Sequence, residues 1–350
     1  MSVPRRDRAL GALYGLAIGD ALGMPTQSLP RAMIVERYGP RIERFEPAPP
    51  DHPIASGLPA GSITDDTEQA LLLAQLLVDA NGAPDPHEFA RRLVAWEADM
   101  QRRGSRDLLG PSTSRAIADL LGGADLQEVG RSGTTNGAAM RIAPVGICTP
   151  SDDVMALVNR VEAVSRITHH TGVALAGASA VAAAVSAGID GADVAAATAA
   201  AIRAATLASG RGTWVAAADV ATRIRFAVSA VAALDGSEDA AALIESLIGT
   251  SLATQESVPA AFAVLAVHPD DPWQACRLAA SVGGDCDTIA AMAGAVAGAC
   301  LGYRAFPAEA RRIVTEVNHL RLEPLVDALL ALRGAFDAEA AADADRRGAP

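Results

Sequence analysis

GVALAGASAVAAAVSAGIDGADVAAATAAAIRAATL, residues 172–207, decides the fold. Ala, the strongest helix former, dominates the stretch, which reads as two helices, 172–187 and 191–207. Small side chains let helix backbones approach one another. The same composition runs through the whole chain: half of the residues are apolar, yet only 3% are aromatic, and 31 are Gly. Runs of β-branched and aromatic residues, which mark strands, are scarce. The expectation is an all-α multi-helix bundle, one large domain over residues 1–335. Residues 336–350, rich in Ala, Asp and Arg, read as a frayed tail. No repeat and no linker divides the chain. The apolar stretches 173–189 and 289–301 are at or below membrane-spanning length and read as buried helices.

Working outward, residues 8–22 read as a helix that ends at the breaker Gly23, Met24, Pro25. Residues 23–61 carry eight Pro, so they read as irregular, with one short helix near 30–38. GSITDDTE (61–68) then enters an apolar periodic run, 70–78, with Asp65 and Glu68 at capping-box spacing. Helices are expected at 86–101 and 112–121. A polar loop, 130–137, leads into 138–141. After Pro150 the helical pattern is nearly continuous: 151–166, the two helices above, 212–233, 237–248, 257–267 and 272–282. GGDCDT (283–288) opens the helix 289–301, and 307–333 adds one or two more.

The formal charge of −12 argues against nucleic acid as a charge-driven partner, which needs a basic footprint. All 29 basic residues other than His are Arg, which reads as compositional bias. Four Cys, none in a CxxC, form no disulfide framework, so a reducing cytoplasm is expected. Gly11, Gly15, Gly19 and Asp20 interrupt the first apolar run, which excludes it as a signal-peptide core.

Two segments stand apart: Thr64, Asp65, Asp66 and Asp285, Cys286, Asp287, Thr288. Each precedes an apolar helix, and helix capping is one reading. A cap needs one acceptor, however, and each loop carries at least three oxygen-bearing groups. Clustered carboxylates repel unless something positive lies between them. Mg²⁺ or Mn²⁺ takes oxygen ligands, commonly one or two carboxylates plus waters. Brought together, the loops would offer four carboxylates and two hydroxyls, enough for two ions.

Four motifs occur in order: GALYGLAIGDALGMP (11–25), TDDT (64–67), TNGAAMRIAP (135–144) and GGDCDTIAAM (283–292). Together they resemble the ADP-ribosylglycohydrolase family over roughly residues 8–335. The resemblance implies a compact orthogonal helical bundle around a binuclear Mg²⁺ or Mn²⁺ centre, acting on an ADP-ribosylated protein or small molecule. It assigns the metal ligands to Thr64, Asp65, Asp66, Asp285, Asp287 and Thr288, and leaves Cys286 a packing role.

On the substrate side, the loop 133–137 reads alone as either a turn or a phosphate-binding loop. By resemblance, Thr134, Asn136 and Gly137 hold the diphosphate-ribose, and His169 borders the substrate. Adjacent helical residues point about 100° apart, so His170 cannot share an ion with His169 and is expected at the surface. Arg141 stays open between a buried ion pair and a ligand contact. The segment 106–113 resembles the loop over the distal ribose, placing Gly110 at the site and Asp107 as a ribose contact or acid–base group. Many family members carry Glu four residues after the glycine that ends GDALG; here that position is Gln27. Gln orients a ligand but takes no proton, which passes the acid–base role to Asp65, Asp66 or Asp107. Two alternatives stand beside ADP-ribose release: hydrolysis of another small riboside, and a catalytically silent nucleotide binder.

Overall fold

Four glycines of the first helix, Gly11, Gly15, Gly19 and Gly23, recur every fourth residue and line one face of it. In the computed structural model, which describes residues 3–102, 110–125, 128–234 and 236–348 with side chains to 336, that face lies against the helix Cys286–Leu301. A Cβ on Gly15 would stand 2.1 Å from the Gly294 carbonyl oxygen, and one on Gly19 would stand 2.0 Å from that of Ala290. Only hydrogen at Cα permits backbones this close. The pairing is the most extensive between helices among the described residues. At its end, Gly23 meets the backbone of Asp287.

Among the described residues there are seventeen α-helices and no strand, only three isolated bridges. In chain order they are α1 (Arg5–Gly23), α2 (Arg31–Tyr38), α3 (Asp65–Asp79), α4 (Pro86–Arg102), α5 (Pro111–Leu121), α6 (Gly137–Met140), α7 (Ala143–Cys148) and α8 (Val154–Ser165). There follow α9 (Gly172–Ile189), α10 (Val194–Ala208), α11 (Val220–Val231), α12 (Ser237–Leu243), α13 (Thr254–Val267), α14 (Pro272–Ala279), α15 (Cys286–Leu301), α16 (Ala308–Asn318) and α17 (Glu323–Gly348). The all-α expectation holds. Helix α9 is apolar on every side, and every one of its residues is buried, as such a helix must be. It packs on α6, α7, α8, α10, α13 and α15. It is the one described helix long and apolar enough to cross a membrane, and protein covers all of it.

Several boundaries differ from the sequence reading. The helix expected from residue 212 starts at Val220, because Thr213 donates its N–H to the His170 carbonyl and accepts the Gly172 N–H, bridging to Thr171 in extended backbone. The Asp219 carboxylate then caps the Thr222 N–H at 2.7 Å. The helix after 237 finishes in a π turn, Ile244–Ile248. A short helix, α7, with Pro144 in its first turn, had no counterpart in the reading. The last helix continues through Gly348.

The capping box is also corrected. Thr64 is the N-cap of α3 and gives its helix no side-chain bond. Glu68 instead accepts from the Trp96 indole. The cap comes from α1: Asp20, fully buried, accepts the N–H and hydroxyl of Thr64 and those of Thr67. One carboxylate thus fixes the start of α3 against α1, and α1 is in turn fixed against α15.

Candidate functional site

Because α1 holds both α3 and α15, the N-termini of the two acidic helices meet. Asp65 and Asp66 lie in the first turn of α3, and Asp287 in that of α15, with Asp285 as its N-cap. Asp285 gives its helix no side-chain cap bond, so capping does not explain it. Its Oδ2 accepts from the Asn136 amide nitrogen, which also reaches the Ser257 hydroxyl at 3.0 Å. The Asp285 N–H is held by the Thr250 carbonyl at 2.7 Å. Gly284, at φ +66°, has no room for a Cβ beside that carbonyl.

Asp66 is 1% exposed, and its Oδ1 has no hydrogen-bond partner. Its Oδ2 lies 3.3 Å from both the Thr64 and Thr288 hydroxyls. Thr64 has a single hydroxyl hydrogen, and Asp20 takes it at 2.7 Å. Asp66 therefore keeps at most one long contact for two carboxylate oxygens, from a Thr288 hydroxyl that Asp285 also draws on. Burial, then the charges of Asp287, Asp65, Asp20 and Asp285, pushes its pKa well above the usual carboxylate range. Burial also raises Asp20 and Asp285 to about 6, against hydrogen bonds from Thr67 and Thr64 in the first case and Asn136 and Thr288 in the second. A buried, nearly bare carboxylate among others calls for a proton or a cation.

The donor set is all oxygen. Cys286, between the two aspartates, is buried and turns its sulfur toward the Thr26 hydroxyl at 3.2 Å. Hard oxygen donors suit Mg²⁺ or Mn²⁺. Among the described residues no group of three or more His, Cys, Asp or Glu side chains is placed to hold a metal ion by itself. Thr64, Thr288 and waters would have to finish one, as is usual for Mg²⁺.

Above this cluster opens a cavity of about 930 Å³. Of the residues singled out from sequence, Gln27, Asp65, Gly110, Asn136, Gly137, Asp285, Asp287 and Thr288 line it. Thr64 and Asp66 lie beneath, buried against the lining Thr288. Thr134 does not line it: its carbonyl accepts the Thr254 N–H and hydroxyl, and Thr135 takes the wall position. His169 is not at the wall either. Its ring is fully buried behind it, with Nε2 3.0 Å from the Thr135 hydroxyl and Nδ1 2.8 Å from that of Thr168. Burial, with Arg141 nearby, holds it well below the usual histidine range, hence neutral. His170, expected at the surface, is largely covered and meets Glu162 at 3.0 Å. Arg141 is structural: it is buried, bonds Gln69 and Thr168, and lies over the Phe89 ring. Asp107 falls outside the described residues. The residue that sequence reasoning passed over is Asp20, quoted within its motif but given no role.

Fold and site together define an all-α protein with a carboxylate-floored ligand cavity. The chain belongs to the ADP-ribosylglycohydrolase family, whose model matches residues 1–338. It is 35% identical over 329 residues to YegU, an uncharacterized protein of Escherichia coli, covering 94% of this chain and 98% of that one. Over 178 residues it is 34% identical to the ADP-ribosyl-dinitrogen reductase glycohydrolase of Rhodospirillum rubrum, covering 47% of this chain and 52% of the relative. A solved structure described as an ADP-ribosylglycohydrolase-related protein complex superposes with a TM-score of 0.70 at 26% identity, covering 94% of this chain and 99% of the other.

Proposed function

We propose that this chain is a divalent-metal-dependent glycohydrolase that releases ADP-ribose from an ADP-ribosylated protein or small molecule. The observation that carries the reading is the under-bonded Asp66 carboxylate at the meeting of the two acidic loops, directly below the cavity. Thr64, Asp65, Asp66, Asp285, Asp287 and Thr288 would hold two Mg²⁺ or Mn²⁺ ions per subunit. When bound, such ions orient ribose hydroxyls and make water acidic enough to act as a nucleophile. The chain's own groups supply the rest. As the leaving group departs, positive charge grows on the anomeric carbon, and the Asp65, Asp285 and Asp287 carboxylates facing the cavity stabilise it. Asp65 is accessible from the cavity and oriented by the Gln69 amide at 2.9 Å, which suits it to take the proton of an attacking water. The four cysteines, all unpaired and buried, fit a reducing compartment.

One observation favours a second reading, hydrolysis of another small riboside: among the described residues no Arg or His side chain lines the cavity, so none of these side chains offers a diphosphate a cationic partner. A substrate panel separates the two. Arginine-linked, serine-linked and small-molecule ADP-ribose are assayed beside free nucleosides, with Mn²⁺ or with EDTA. Asp66→Asn and Asp285→Ala should each lower turnover at least about a hundredfold and weaken Mn²⁺ binding in calorimetry. Release of ADP-ribose undiminished by EDTA, or by both substitutions, ends the metal-dependent reading.

A further inference from the structure

We infer that His52 is a positioning residue for this cavity: through the single peptide unit joining Gln27 to Ser28, its ring holds the Pro53–Ile54 lip in register with the Gly284–Asp285 turn. The inference rests on the reading of the cavity as the substrate site. His52 sits in the irregular, Pro-rich segment between α2 and α3 and is 1% exposed. Its Nδ1 lies 3.2 Å from the Ile54 nitrogen and 2.9 Å from the Ala55 nitrogen. Both are N–H donors, so Nδ1 must carry the lone pair, and the proton belongs on Nε2. From there it is donated to the Gln27 carbonyl at 3.0 Å. The tautomer is fixed by the surroundings.

That carbonyl shares its peptide unit with the Ser28 N–H, which donates to the Gly284 carbonyl at 2.7 Å. The Gly284 N–H returns to the Leu29 carbonyl at 3.0 Å. One peptide plane is therefore gripped at both ends, by His52 and by the turn that carries Asp285. Ser28 stands at φ +59°, a conformation a non-glycine residue keeps only when its neighbours hold it. Gln27, Ser28, Pro53, Ile54, Gly284 and Asp285 all face the cavity. A lost bond at His52 is thus felt on both the lip and the acidic floor.

Two half-replacements separate this role from mere capping of the 52–55 turn. His52→Gln places an amide nitrogen near the Nε2 position and keeps the donor to Gln27. His52→Asn keeps an acceptor for the Ile54 and Ala55 N–H groups and loses that donor. Calorimetry with ADP-ribose and with Mn²⁺, and hydrogen exchange at the Ser28 amide, are measured on the full chain. His52→Gln should bind both ligands within about threefold of the unsubstituted protein. His52→Asn should bind both about tenfold more weakly, with faster exchange at Ser28. The opposite order, or unchanged binding and exchange in both variants, overturns the positioning role while leaving the functional reading intact. An unsubstituted protein that binds neither ligand removes the functional reading and this inference with it.

Discussion

Asp20 accepts hydrogen bonds from four donors, two backbone N–H groups and two hydroxyls. Removing it strands buried donors, each costing about 1–3 kcal/mol, and deletes a helix cap. Asp20→Ala should therefore lower stability by about 2–4 kcal/mol, read as a lower urea midpoint at unchanged slope. A change under about 0.5 kcal/mol, the range of neutral surface substitutions, would mean that water replaces the cap. At this scale the sequence was legible where chemistry is local. Asp66 and Asp285 announce themselves by crowding oxygen donors into adjacent positions. Asp20 does not, because a lone Asp within an apolar helix acquires meaning only when α3 arrives beside it. His169 and Thr134 stand behind the cavity wall rather than on it, since a helix start fixes which residues are near a cavity but not which side chain turns toward it.

Helix α1 shows what one element can impose. Its glycine row meets backbone rather than flexible side chains, so an added methyl cannot be accommodated by a rotamer change. Gly15→Ala or Gly19→Ala should cost about 2–3 kcal/mol or more through overpacking and should reduce metal affinity as well, since α1 registers both acidic helices. Gly210→Ala, where a Cβ meets nothing within 4 Å, should leave stability within about 0.5 kcal/mol. Parallel urea unfolding and Mn²⁺ titration of the three variants check both halves. Equal behaviour of Gly15→Ala and Gly210→Ala would refute the close contact. The existence of most helices was readable from Ala-rich periodicity. Failures came where tertiary bonds outcompeted propensity, as at Thr213, or where a helix was too short to show a period, as in the six residues of α7.

For the whole molecule, the acidic floor ties stability to pH and, on the proposed metal-dependent reading, to metal. Asp20 and Asp285 have folded pKa values of about 6, and Asp66 is also raised, from an ordinary 3.8. A carboxyl raised on folding favours the folded state below its unfolded pKa and loses that contribution as pH climbs through the folded value. In EDTA, these three groups should make the protein less heat-stable at pH 8 than at pH 5. Mn²⁺ binds the ionised form, so its stabilisation should be larger at pH 8. Melting curves at both pH values with and without Mn²⁺ test this; equal metal-induced shifts would contradict it. The contact between α1 and α15 has one more consequence. Gly23 and Cys286 are 263 residues apart, and a ribosome adding 5–20 residues per second needs about 15–50 s to cover that distance. Throughout that time the nascent α1 is without its principal partner, and its apolar flank stays open to water and to foreign contacts until translation nears its end.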